Sequence, residues 1–257
     1  MKNPFVKKRG NVKDDVLSGL TVALALVPEA IAFSFVAGVP PLTGMYAAFI
    51  VCLITSLFGG RPGMISAAAG SLAVVMVALV YEGNQRGGEG AGLEYLLATV
   101  VLMGVIQLII GGLKLARFIR LVPHPVMMGF VNGLAVVIFL AQISMFKERK
   151  GAVIGDWLQG SALWTMFGLV GLTMAIIYLL PKLTKAIPSS LVAILVVTGV
   201  VMAGVNTQTV GDLSSVAGGF PLPHMPNIPF TWDTLVFIFP YALILASVGL
   251  IESLMTV

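Results

Sequence analysis

Apolar runs dominate the chain. Eight can be marked, at about 15–37, 42–58, 64–81, 93–112, 124–145, 161–180, 188–205 and 232–257. Most approach the roughly 20 apolar residues that a helix needs to cross the hydrocarbon of a bilayer. Proline and glycine punctuate the gaps, as GVPP at 38–41, GGRPG at 59–63 and LPKLTKAIP at 180–188. The longest gap, 206–231, ends PLPHMPNIPF, and its four prolines forbid a regular helix. It reads as an extended, external, Pro-rich loop, after which Thr231 or Asp233 can cap the eighth run. The pattern predicts an all-α polytopic membrane protein. The eighth run closes on LIESLMTV with no basic flank, glycine or proline, so the chain is expected to break off inside its eighth span.

Composition and charge add an orientation. The chain is 58% hydrophobic and 10% charged, whereas a soluble domain carries about 25% charged residues. The net charge of +4 lies between the apolar runs and implies topology rather than a nucleic-acid partner. With residues 1–14 in the cytoplasm, the inside set is Lys2, Lys7, Lys8, Arg9, Lys13, Arg61, Lys114, Arg117, Arg120, Lys182 and Lys185. The outside set is Arg86, Lys147, Arg149 and Lys150. Eleven against four obeys the positive-inside rule, and the opposite orientation breaks it. No short apolar segment with a small-residue cleavage site follows the basic N-terminus, so the first span is expected to be retained. The single cysteine, Cys52, sits in an apolar run and reads as a packing residue. No disulfide framework is available, and no phosphate-binding loop, zinc-protease or nucleophile-elbow motif supports an enzyme.

Three places carry candidate chemistry. Glu29, in ALVPEAIAF, and Glu252, in SVGLIESLMTV, are carboxyls at membrane depth, where a charge costs several kcal/mol and by default marks a functional site. Pro28, directly before Glu29, removes a helix donor and frees the Leu24 carbonyl, which suits a helix facing a cavity. The third run opens GMISAAAGSLAVV. Its small residues predict an extended stretch to about Ala69 and a helix from Gly70 or Ser71. The free amides and positive dipole end would then face an anion at mid-membrane. The bland alternative is a small-residue packing face. The extended PNIPF before the eighth run is an approximate counterpart. His124 reads as a loop or cap residue and His224 as a surface residue, while Gln107 and Asn132 are expected to bond across helices.

Several segments together resemble the SulP family of anion transporters. These are Asp15 with Ser18-Gly19-Leu20-Thr21, VPEAIAFSFVAGVPPLTGMYAAF at 27–49, LFGGRPGMIS at 57–66, LVPHPVMMGFVNG at 121–133 and GLIESLMT at 249–256. The 27–49 block is the specific one. The resemblance implies two inverted repeats of seven spans, of which this chain would be the first repeat plus the start of span eight. The third span would be broken by a short extended segment. It implies a transport core in spans one to four (15–112) and the start of span eight (232–257). Spans five to seven (113–205) would form a gate. By position, Glu29, Phe33, Ala69 and the amides of Gly70 and Ser71 would bind the anion. The Glu252-xxx-Thr256 spacing is similar to the acidic-xxx-Thr of sodium-dependent bicarbonate transporters of this family, so these two would hold a coupling sodium ion. Many members have Gln in place of Glu29, and Thr or Phe in place of Ala69.

The expected function is therefore a secondary carrier of a small inorganic anion, bicarbonate ahead of sulfate, coupled to sodium or protons by alternating access. It would sit in a bacterial inner membrane and, at full length, form a homodimer. No cofactor other than sodium is expected. A nucleobase or dicarboxylate permease of the same fold, an anion channel, and a membrane scaffold without transport are the alternatives.

Overall fold

The computed structural model describes residues 12–58, 65–115, 124–150, 153–184, 187–209 and 225–255. Among them are eight helices: α1 (Val12–Ala37), α2 (Pro41–Phe58), α3 (Gly70–Gly87), α4 (Ala91–Gly112), α5 (His124–Ile143), α6 (Gly160–Leu183), α7 (Ser189–Met202) and α8 (Trp232–Met255). Each apolar run thus forms a helix. The third departs from its run in extent. It begins at Gly70 and continues through YEGNQRG to Gly87, where Glu82, Gln85 and Arg86 are good helix formers. A hairpin of β1 (Lys147–Lys150) and β2 (Val153–Trp157) occupies the connection between α5 and α6, where the sequence suggests only a loop. All four residues of β1, KERK, are charged, and Glu148 is exposed.

Five helical segments are long and apolar enough to cross a membrane: Asp15–Ala37, Pro41–Phe58, Ala91–Gly112, Gly160–Leu183 and Trp232–Ser253. The others are shorter in their apolar part. α7 has 14 residues, about 21 Å at the usual rise, against a hydrocarbon core of about 30 Å. Large side chains such as Phe58, Leu108 and Trp164 are exposed, which lipid tolerates and water does not.

The chain divides into two compact units. One comprises Met1–Glu29 and Asp156–Thr209. In it α6 packs on α7, with Ala193 buried, Trp164 against Phe167 at 6.4 Å and the Lys182 ammonium 3.7 Å from the Tyr178 ring centre.

The other unit comprises Ala30–Gly155 and Val210–Val257 and is built on α3, α4 and α8. Its core gathers Leu79, Val80, Tyr95, Leu96, Ala98, Ile228, Phe237 and Ile238. Helices in lipid gain little from hydrophobic burial against one another, so close packing and small residues decide their contacts. Gly83 and Gly92 show this. A Cβ on Gly83 would lie 2.8 Å from the Gly92 Cα, and one on Gly92 would run into the Val80 carbonyl oxygen. The Gly92 amide also donates to Asn84 Oδ1 at 2.8 Å. Tyr95 meets Phe237 edge-on at 5.4 Å. The second half of α1 docks on α2 in the same way, since a Cβ on Gly44 would collide with the Ser34 hydroxyl, which donates to the Ala30 carbonyl at 2.7 Å.

Candidate functional site

The third span is broken where its small residues suggest. Residues 65–69 are non-helical, and Ala69 has extended angles of φ −118° and ψ 126°. The first closed turn of α3 is the Ala73 amide donating to the Ala69 carbonyl at 3.2 Å. The amides of Gly70, Ser71 and Leu72 therefore come before any intrahelical acceptor, and the Ala69 side chain provides no cap. Three donors and the positive end of the helix dipole converge at this point.

Neighbouring helices hold the break in place. From α2, the Cys52 thiol donates to the Ser66 carbonyl at 2.9 Å, giving the extended backbone a partner. From α1 and α5, Phe33 and Ile138 close on Gly70. A Cβ there would lie 2.8 Å from the Phe33 ring and 3.1 Å from Ile138 Cδ1, so glycine is what fits. From α8, Glu252 meets the buried Ser71, whose Oγ donates to Glu252 Oε2 at 2.5 Å. α8 is itself fixed at both ends of its packed face. The Thr231 hydroxyl accepts from the Thr234 amide at 3.3 Å as a cap. Gln107 of α4 donates to the Ala246 carbonyl at 3.4 Å, close to Gly249, where a side chain would crowd it.

The structure thus brings together five of the residues singled out in the sequence: Phe33, Ala69, Gly70, Ser71 and Glu252. Glu29 lies one turn before Phe33 on α1, in the other compact unit, and is exposed. α1 runs through Pro28 without a break. Thr256 and His224 lie outside the described residues. His124 is the first residue of α5, at a helix start as expected, and Gln107 bonds across helices as expected. Thr231 rather than Asp233 supplies the observed cap. Cys52 does more than pack. Its role was hidden because its partner is a backbone carbonyl, which no side-chain pattern reveals.

Among the described residues, no group of three or more His, Cys, Asp or Glu could hold a metal. The donors at Glu252 and Ser71 are oxygens only, a set that suits a hard cation such as sodium rather than a thiophilic metal. The opposite end of α3 faces a polar hollow lined by Glu82, Arg86, Asp233, Phe237 and Tyr241. There Arg86 lies over the Phe237 ring at 4.2 Å, and Tyr241 is hydrogen-bonded to Glu82.

The fold and this site define a multi-pass membrane protein with a helix interrupted inside its packed unit. The sequence pattern of the sulfate permease family matches residues 12–257, and the chain belongs to that family, whose members are transporters and not enzymes. It is 46% identical, along its whole length, to half of the putative sulfate transporter YbaR of Bacillus subtilis. It is 31% identical over 96% of its length to the bicarbonate transporter BicA of a Picosynechococcus strain, covering 45% of that protein. Its fold matches the solved transmembrane domain of a cyanobacterial BicA with a TM-score of 0.77, at 25% identity, over 96% of this chain and 65% of that one. The chain spans about half the length of the curated relatives it matches.

Proposed function

We propose that this chain is the first half of a secondary carrier for a small inorganic anion, bicarbonate or sulfate, driven by sodium or protons. The observation that carries the proposal is the bond from Ser71, at the amide-bearing start of α3, to the carboxylate of Glu252. An anion seat and a cation seat would then share a hydrogen-bonded pair. Three amides can donate to the oxygens of either anion. Glu252, with Thr256 four positions on in the sequence, would hold the cation. With its negative charge cancelled, an anion nearby meets a neutral site.

Phe33 would form the wall beside the amides. Bicarbonate is named for one relative and sulfate for another, so the choice of anion rests on experiment. Alternating access would move a core of residues 15–112 and 232–257 against a gate of residues 113–205. The working protein would be a homodimer in a bacterial inner membrane with its N-terminus in the cytoplasm.

The test is uptake of radiolabelled bicarbonate, sulfate, fumarate and uracil by the full-length protein in liposomes, with imposed sodium or proton gradients. Accumulation of bicarbonate or sulfate above its equilibrium level under one of these gradients is expected. Flux of either anion that ignores both gradients would mean a channel, and preference for fumarate or uracil would mean one of the organic permeases.

A further inference from the structure

Helical hydroxyls in this chain have a common habit. Thr21, Ser34, Thr55, Thr99, Thr173 and Ser247 each donate to the carbonyl four residues earlier. Ser71 does not, and the break in the third span explains why. Four residues before it is Ala67, in the extended stretch, where no helical carbonyl is stacked beneath the hydroxyl. The interruption therefore leaves two things unspent at one residue: a backbone amide and a side-chain proton. The proton goes to Glu252.

A hydroxyl has one proton and can donate to one strong acceptor at a time. Ser71 is 5% exposed, so water does not readily replace a partner it gives up. The same residue lies second in α3, among the amides that face the proposed anion seat. Two acceptors of negative charge therefore compete for a single donor.

We propose that the Ser71 hydroxyl is the element that couples the two ions. With the cation seat empty, its proton is committed to Glu252, and the anion seat lacks that donor. With sodium on Glu252, the negative charge of the carboxylate is offset and it competes less strongly for the hydroxyl proton. The hydroxyl turns its proton toward the anion and its oxygen toward the cation. Each ion then strengthens binding of the other, by the same factor in both directions. This inference rests on the reading of Glu252 as the cation seat and of the start of α3 as the anion seat.

The test measures binding rather than transport. Thermal stabilisation of the purified full-length protein by sulfate and by bicarbonate gives an apparent affinity for each. It is recorded in sodium gluconate and again with N-methylglucamine replacing sodium. Sodium should tighten anion binding of the wild type by about fivefold or more, within the usual range for coupled sites. In Ser71→Ala both ions should still bind, while the sodium effect falls below about twofold. Ser71→Thr should restore it, which a merely structural role does not predict. Ser71→Cys, similar in size but a weak donor, should behave as Ser71→Ala and serves if the alanine variant does not fold. A wild-type sodium effect retained in Ser71→Ala or Ser71→Cys would overturn the coupling role alone. Anion binding to the wild type that ignores sodium would overturn both the sodium-coupling role and the reading of Glu252 as a sodium seat.

Discussion

α1 and α3 both carry a helix-breaking signal in an apolar run, and they answer it differently. α1 has the stronger local breaker, Pro28, yet remains helical from Val12 to Ala37. α3 has no proline at its break, only small residues, yet does not become helical until Gly70. A proline removes one donor and strains one turn, and a long helix with partners on either side absorbs that. The stretch 65–69 offers little side-chain surface to pack, and its backbone finds a partner elsewhere in Cys52. In a membrane, what an interrupted helix can bond to decides its fate more than the strength of the interrupter.

The largest expected effect tests what the break is for. Ala69 has extended angles that any residue can adopt, so Ala69→Phe should fold and place a ring beside the first amides of α3. Uptake should fall to background while the melting temperature moves by less than about 4 °C. Unchanged uptake would place the anion elsewhere. Next come the two carboxyls near the two signals. Glu252→Gln should abolish the response of uptake to its driving cation, and Glu252→Asp should keep part of it if that cation is sodium. Glu29→Gln should keep the response, since Glu29 is exposed and lies in the other compact unit. A reversal of this pattern would move the coupling site to α1.

The third prediction concerns fit. Gly70→Ala puts a Cβ 2.8 Å from the Phe33 ring. It should cost about 1–3 kcal/mol of stability, typical of overpacking. Combining it with Phe33→Leu should recover part of the loss; independent costs would show that the ring does not meet Gly70. A smaller change is expected for Cys52→Ala, which removes the thiol bond to Ser66 and should cost about 0.5–1.5 kcal/mol. Amide exchange around 65–69 should quicken with it, and Cys52→Ser should restore protection. Pro28→Ala should have the least effect, leaving uptake within about twofold, because α1 is already continuous there. A large loss of uptake from that change would mean that Pro28 serves function and not merely shape.

Much of the fold was legible because lipid imposes a simple rule. A run of about 20 apolar residues must become a helix to satisfy its own backbone. Hence all eight runs, and even the start of α3 at Gly70, could be read from residue types. The hairpin at 147–157 was not, since it lies in a polar connection where alternation is short and charged. Within the site, Glu252 and Ser71 stood out separately, one for its charge and one for its place after a run of small residues. Their meeting across 181 positions of sequence could not be read without the packing of α3 on α8. Cys52 and Ile138 were missed for a related reason, as each acts by filling or bonding to a neighbour's backbone or glycine.

The close crossing at Gly83 and Gly92 has a mechanical consequence. Backbone lies against backbone there, with no side chain between to bend or slide. α3 is thereby clamped to α4 near one end, while its other end, some 13 residues and about 20 Å away, carries the amides. With Phe33 and Ile138 closing on Gly70 at the other end, the helix is gripped at both ends of its length. Exchanging either glycine for a residue with a side chain would therefore loosen the mounting, and with it the aim of every donor at the tip.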